Sequence, residues 1–244
     1  MLRKLRWFFG TAVMVVTILP CRLATALGYR DGAIRWWCRM GLWSLGVKVR
    51  AVGGVRENAR GSGALIVANH TSYMDVLALG ACAPGAFLAK GEIARWPIMG
   101  SAAKAGGVLF VDRKSKRASH RMLELIGRAL TRGELVLIFP EGGILSNDGE
   151  PGKPAPFRPM FFQASVDTGC PVVPVGIKHL KPDDPKVWAW EEGVGIYEHM
   201  VTRVLAADVV EVEVRFAQPL FAGEGEGRKE LARRAHEEVT RLIA

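Results

Sequence analysis

The densest chemistry in this chain lies in Asn69-His70-Thr71-Ser72-Tyr73-Met74-Asp75, where an aspartate follows a histidine by five positions. The segment comes straight after an apolar run at 64–68, so the histidine leaves the end of a core strand and the aspartate falls where a helix begins. In α/β proteins reactive groups collect beyond the carboxyl ends of the strands. One tight turn brings the Asp75 carboxylate to one imidazole nitrogen of His70 and leaves the other for substrate. Such a pair is a general base with an orienting partner: the carboxylate fixes the tautomer and stabilises the imidazolium that forms. An alcohol nucleophile needs this help, because it hardly ionises at neutral pH. The spacing alone is a weak signal, since chance places the two residue types five apart in many chains.

Its neighbours add weight. Residues 107–113 form an apolar strand pattern that ends in the cation Arg113, with Lys114 next. Residues 135–142 form a second, ending in the acidic turn Phe139-Pro140-Glu141-Gly142. A third, 172–177, contains Pro174, and proline inside a strand favours an edge or an irregular position. Each strand end delivers a distinctive group to what would be one rim. His120, His179, His199 and His236 are unrelated to these groups by spacing and read as surface or packing residues.

The elements that must position these groups alternate along the chain. Strands are expected at 64–68, 86–89, 108–111, 135–139, 172–177 and 209–216, several of them continuous apolar runs suited to burial on both faces. The last alternates Val210, Val212 and Val214 with Glu211, Glu213 and Arg215, so one of its faces is expected to meet solvent. Helices are expected at 73–82, 115–132, 159–168 and 228–243. The alternation predicts an α/β fold with a mostly parallel sheet flanked by helices. Residues 145–157 are dense in turn formers and read as a loop.

Length and composition suit one domain with a well-buried core: the chain has 244 residues, 49% hydrophobic and 23% charged. Cys21, Cys38, Cys82 and Cys170 are scattered, which argues against a disulfide framework or a zinc site and fits a reducing setting. The net charge of +9 is concentrated at the amino terminus, where residues 1–50 carry nine basic side chains against Asp31 alone. These cations are interleaved with Trp7, Phe8, Phe9, Trp36, Trp37 and Trp43. Bulky apolar groups between arginines suit a lipid interface, where hydrocarbon takes the rings and anionic headgroups the guanidinium groups. A basic arm also suits nucleic acid, but the aromatic interleaving favours the membrane, and no nucleic-acid partner is expected.

The apolar run at 7–20 is short for crossing a bilayer, which takes about 20 residues. A signal peptide and a core helix are the competing readings; the basic, aromatic residues that follow speak against the first, and the terminal position with its cationic flank against the second. The expectation is a monotopic anchor, with an apolar helix near 6–27 and an amphipathic helix near 31–46. The chain then divides into membrane-anchoring helices at 1–46 and an α/β domain at 47–244, on the cytoplasmic face of the cell membrane.

In this order and spacing, H-x4-D at His70–Asp75 and F-P-E-G at 139–142 resemble the glycerolipid acyltransferases, the family that includes 1-acylglycerol-3-phosphate acyltransferase. The resemblance runs from about Gly63 to Ile177 and extends to the basic, apolar amino terminus. It implies a His70–Asp75 relay that deprotonates the acceptor hydroxyl for direct attack on a thioester, with no acyl-enzyme. It implies further that Arg113 binds phosphate and that Glu141 and Gly142 form the acceptor-site turn. Lys90, in Lys90-Gly91-Glu92, is similar to a family element near the acyl groove, although its plain reading is a solvated charge. Phe110, Pro140, Arg158 and Pro174 complete the substrate-binding candidates. The implied donor is an acyl thioester of acyl carrier protein or coenzyme A, with no other cofactor and no metal. The basic run Arg113, Lys114, Lys116, Arg117, Arg121 would help dock either donor, or is simply the solvated face of a helix.

The chain departs from the family pattern after Gly142. Members that use lysophosphatidic acid commonly read F-P-E-G-T-R-S, whereas Gly143, Ile144 and Leu145 stand here, without the second arginine. That turn is more similar to relatives acylating other lysolipids, including lyso-ornithine lipid, and Arg158 is a candidate to compensate. The acceptor is read as 1-acylglycerol-3-phosphate, giving phosphatidic acid, with lyso-ornithine lipid as the alternative. A serine hydrolase lacks its G-x-S-x-G, and nucleotide chemistry lacks a P-loop or a G-x-G-x-x-G after a strand. A non-catalytic membrane adaptor is the alternative of another class.

Overall fold

A computed structural model describes residues 2–54, 63–111, 116–144, 153–190 and 193–244. Three helices come first: α1 (Leu2–Val16), α2 (Ile18–Ala26) and α3 (Arg30–Leu45). The single apolar helix expected near 6–27 is broken at Thr17, and α1 and α2 are bent by 42°. Pro20 supplies the reason, because it lacks the N–H that would continue the α1 ladder into the next turn. No single helix among the described residues is long and apolar enough to cross a membrane, although the bent α1–α2 pair passes together by length and composition.

Seven strands follow: β1 (Val47–Val52), β2 (Ala64–Ala68), β3 (Ala86–Lys90), β4 (Leu109–Val111), β5 (Leu135–Ile138), β6 (Val172–Lys181) and β7 (Val210–Phe216). They form one sheet in the order β1-β7-β6-β2-β5-β3-β4. Every neighbouring pair is parallel except β6 and β7. Strand β2 is central and buried along its whole length, as its unbroken apolar run requires. Edge strand β1 adds a pairing that the apolar runs did not announce, setting Lys48 opposite Glu211 and Arg50 opposite Glu213.

Helices cover both faces. On one side lie α3 and α4 (Met74–Cys82), with Ile34, Cys38, Leu42, Ala78 and Leu79 in a core shared with β1, β2 and β7. On the other lie α6 (Lys116–Thr131), α7 (Gln163–Thr168) and α10 (Arg228–Ile243), which bury Met122, Ile126, Leu130, Leu231 and Val239. Helix α5 (Pro97–Ala105) leads into β4, and the short helices α8 (Pro185–Trp188) and α9 (Ile196–His199) lie between β6 and β7. Gly176 lets α10 close on β6, since a Cβ there would stand 2.5 Å from Leu242 Cβ.

Of two expectations about strands one holds in part and one changes. Pro174 lies inside the sheet on β6, at an irregular position and not at an edge. Its missing N–H is tolerated because the ladder toward β7 is interrupted there, between the isolated Val172–Leu220 bridge and the pairing that starts at Val175–Phe216. The polar face of β7 is also less open than its alternation implies. Glu213 is buried, its carboxylate meeting Arg215 Nε at 2.5 Å, while Arg215 also donates to the Leu242 carbonyl in α10.

Candidate active site

The sheet brings three strand ends together. β5, β2 and β6 are adjacent and parallel, so the turns after β2 and β5 and the extension of β6 share one edge. Asn69, one residue beyond β2, fixes their relation. Its amide donates to the Ile177 carbonyl at 2.9 Å and accepts from the Ile177 N–H at 2.7 Å, replacing a ladder rung with a side chain. His70 comes next, its ring stacked on Phe139 with centroids 3.9 Å apart and planes 15° apart.

Asp75 is fully buried at the start of α4 and is the hub of the site. Its Oδ2 faces His70 Nδ1 at 3.2 Å and accepts from the backbone N–H groups of Thr71 and Ser72, each at 2.7 Å. Its Oδ1 meets His179 Nε2 at 3.0 Å. Burial alone pushes the carboxyl up. The hydrogen bonds and charges of His179 and His70 outweigh that, and the group is held well below the usual carboxylate range. An anion so placed orients the His70 ring, accepts its Nδ1–H and leaves Nε2 as the nitrogen to meet a substrate hydroxyl.

His179 corrects the reading of the other histidines. It is a buried partner of Asp75, stacked on Trp188 with centroids 4.7 Å apart, and only the register of β6 brings it there. His199 is buried against the Tyr73 hydroxyl, whereas His120 is exposed beside Glu124.

The turn after β5 crosses over the same histidine. Glu141 is buried; its Oε1 accepts from the His70 N–H at 2.7 Å and its Oε2 from the Ala155 N–H at 3.1 Å. Both carboxylate oxygens are thus spent on backbone, stapling the end of β5 to the end of β2. Burial raises its pKa to about 7, against the two backbone donors, with the Asp75 charge adding to the rise. Gly142 has a φ of +100°, and a Cβ there would stand 2.6 Å from Arg158 Nε. The Arg158 guanidinium therefore lies directly on the glycine, with its backbone N–H bonded to the Pro140 carbonyl at 3.0 Å. Lys90, at the end of β3, reaches the same turn, its Nζ 4.0 Å from where a Cβ on Gly143 would lie. Two cations from distant parts of the sequence thus flank the acidic turn.

Backbone N–H groups of the turn are partly committed, since the Gly142 N–H donates to the Phe139 carbonyl at 3.3 Å. Phe110 is half-buried on β4, opposite Ala89, while Pro140 is buried in the turn and Pro174 is buried in β6. Arg113 and Lys114 lie outside the described residues. Among the described residues no cluster of three or more His, Cys, Asp or Glu side chains has the makings of a metal site.

With this geometry in place, comparison with known proteins gives a concordant picture. The family model described as Acyltransferase matches residues 50–178, slightly more than half of the chain. The chain is 29% identical to the lyso-ornithine lipid O-acyltransferase of Rhizobium meliloti, over 86% of this chain and 74% of that protein. It is 27% identical to the 1-acyl-sn-glycerol-3-phosphate acyltransferase of Neisseria gonorrhoeae, over 75% of this chain and 70% of that protein. Its fold is similar to the crystal structure of the 1-acyl-sn-glycerophosphate acyltransferase of Thermotoga maritima, with a TM-score of 0.69 at 23% identity, covering 99% of this chain and 95% of that one.

Proposed function

The chain belongs to the Acyltransferase family, and from that premise we propose that it transfers a fatty acyl group from an acyl thioester to the free hydroxyl of a lysolipid, with His70 as general base. The observation that carries the mechanism is the His70 Nδ1–Asp75 Oδ2 contact at 3.2 Å, in a buried turn at the end of the central strand. His70 Nε2 takes the proton of the acceptor hydroxyl as its oxygen attacks the thioester carbonyl carbon. The tetrahedral intermediate collapses with cleavage of the C–S bond, and the departing thiolate takes the proton from the imidazolium. Ester and free thiol result, and no acyl group rests on the protein. Stacking of His70 on Phe139 supports the same reading, because a ring held over an aromatic face keeps its orientation as it gains charge.

The acceptor we propose is 1-acylglycerol-3-phosphate, giving phosphatidic acid. Support comes from Arg158 and Lys90, which flank the Glu141–Gly142 turn and suit an anionic headgroup. A second acceptor, lyso-ornithine lipid, is favoured by one feature: Gly143 and Ile144 stand where a two-arginine phosphate site has its second cation. The donor is a thioester of acyl carrier protein or coenzyme A.

The site we propose for the reaction is the cytoplasmic face of the cell membrane. Phe8, Phe9, Val16, Leu19, Leu23 and Leu27, each at least 60% exposed, form an apolar stripe along α1 and α2 at helical spacing. A stripe of this kind in a strongly basic amino terminus suits a helix pair lying in the headgroup region. The test is acyl transfer by purified protein in detergent, with a labelled acyl thioester and a panel of lysolipids. Preference for lysophosphatidic acid supports the phosphatidic-acid assignment, and preference for lyso-ornithine lipid selects the second acceptor. Labelling of no lysolipid contradicts the proposal.

A further inference from the structure

Asp75 is held from two sides, and only one of them belongs to the H-x4-D segment. Oδ2 is gripped locally by His70 and by the Thr71 and Ser72 N–H groups. Among the described residues Oδ1 is reached only from β6, by His179 Nε2 at 3.0 Å, across 104 positions of sequence. A carboxylate bound through one oxygen can still swing about its Cβ–Cγ bond. A donor on the second oxygen fixes the plane of the group, and with it the direction in which Oδ2 meets His70 Nδ1. The buried Oδ1 would otherwise face no donor, at the cost that attaches to an unpaired charged oxygen.

His179 is itself built to stay in place. Its side chain is only 2% exposed, and its ring lies flat on Trp188 with the planes 10° apart. The Trp188 indole is tied to the Pro182 carbonyl at 3.2 Å. The strand carrying His179 is set in register by the two Asn69–Ile177 hydrogen bonds, two residues upstream. Its other nitrogen, Nδ1, is buried with no hydrogen-bond partner among the described residues. An N–H on Nδ1 would be left there without an acceptor, so the proton is assigned to Nε2, which meets Asp75.

We propose that His179 is a positioning residue for acyl transfer, which locks the Asp75 carboxylate through Oδ1 so that Oδ2 holds His70 in its reactive orientation. The inference rests on the reading of His70 as general base. It adds a third member to the relay, contributed by β6 and lying behind Asp75, out of contact with substrate.

Phenylalanine and glutamine separate donation from packing. His179→Phe keeps a flat ring on Trp188 and removes the donor, whereas His179→Gln restores an N–H near the Nε2 position and removes the ring. Both are assayed as full-length protein in detergent, beside wild type and His70→Ala, with thermal unfolding recorded for each. The proposal expects His179→Phe to lose on the order of 10- to 100-fold in kcat. KM for the lysolipid should stay within about threefold, because the residue lies behind the carboxylate. His179→Gln should recover most of the lost turnover, even where its unfolding temperature is the lower of the two. Wild-type turnover in His179→Phe overturns the proposal, as does an equal loss in both variants at similar thermal stability. The His70→Ala arm separates the premise from the inference. An inactive His70→Ala with a normal His179→Phe removes only the role of His179, whereas an active His70→Ala removes the base itself.

Discussion

Asp75 and Glu141 are both buried carboxylates, both touch His70, and they stand at the ends of neighbouring strands, yet they are held in opposite ways. Asp75 collects two backbone N–H groups and two imidazoles, and its carboxyl is held far below the usual range. Glu141 has two backbone N–H donors and, among the described residues, no cationic or imidazole partner at hydrogen-bond distance, and burial raises it to about 7. Burial is common to both, so the partners decide the outcome. One carboxylate is made a permanent anion aimed at an imidazole ring. The other ties two strand ends together and reaches His70 only through its backbone.

The sharpest test of this contrast is a pair of amide substitutions. Asp75→Asn should lower turnover by about 10³-fold, because the imidazolium loses its counter-charge and the ring its orientation. Glu141→Gln should cost only about tenfold, since an amide oxygen still accepts one of the two backbone bonds and no charge next to the ring is lost. Steady-state kinetics decide, and equal losses would abolish the distinction.

Asn69 links the two halves of the site and should be the most costly residue for stability. Asn69→Leu leaves the buried N–H and carbonyl of Ile177 without partners, and the expected loss is about 2–4 kcal/mol by thermal or denaturant unfolding in detergent. A loss below about 1 kcal/mol would mean that β6 keeps its register without the side chain.

Glu141 also predicts a pH dependence. The folded protein keeps this proton up to about 7, whereas an ordinary glutamate releases it near 4.5. Between those values the folded state binds more protons than the unfolded chain. The stability from this group is therefore full below pH 4.5 and is lost as pH rises through about 7. Unfolding of wild type against Glu141→Gln should show a relative decline of roughly 1–3 kcal/mol across that window, and parallel curves would contradict it. The smallest effect belongs to the exposed cation on the turn. Arg158→Ala should raise KM for an anionic lysolipid by about 5- to 10-fold, roughly 1 kcal/mol, at unchanged kcat.

The contrast between local and distant contacts also explains what was legible in the sequence. His70 and Asp75 share one turn, and Phe139 to Gly142 are contiguous, so the two short motifs could be read from the sequence, weak singly and distinctive in combination. The buried strands were equally plain, because Ala64–Ala68 and Leu135–Ile138 are unbroken apolar runs. His179 was not legible, since its role depends on the register of β6, which Asn69 sets from another strand. The signal available was parity alone: His179 stands two residues after Ile177 on the same strand, and so faces the same side of the sheet. Edge strand β1 was overlooked for a related reason. Its alternating Lys48 and Arg50 acquire meaning only beside Glu211 and Glu213, which meet them at 3.7 and 3.8 Å. The approach of Arg158 to Gly142 likewise joins residues that no local spacing relates.

The central claim is that His70 is the base for direct transfer to a lysolipid hydroxyl. Its most direct test is single-turnover acyl transfer from a labelled thioester to the preferred lysolipid, comparing wild type with His70→Ala at matched folding. The account predicts a loss of about 10²- to 10⁴-fold with thioester binding unchanged within about twofold, and no label on the protein when acceptor is omitted. Transfer by His70→Ala within a few fold of wild type, or a labelled acyl-enzyme accumulating without acceptor, would contradict it.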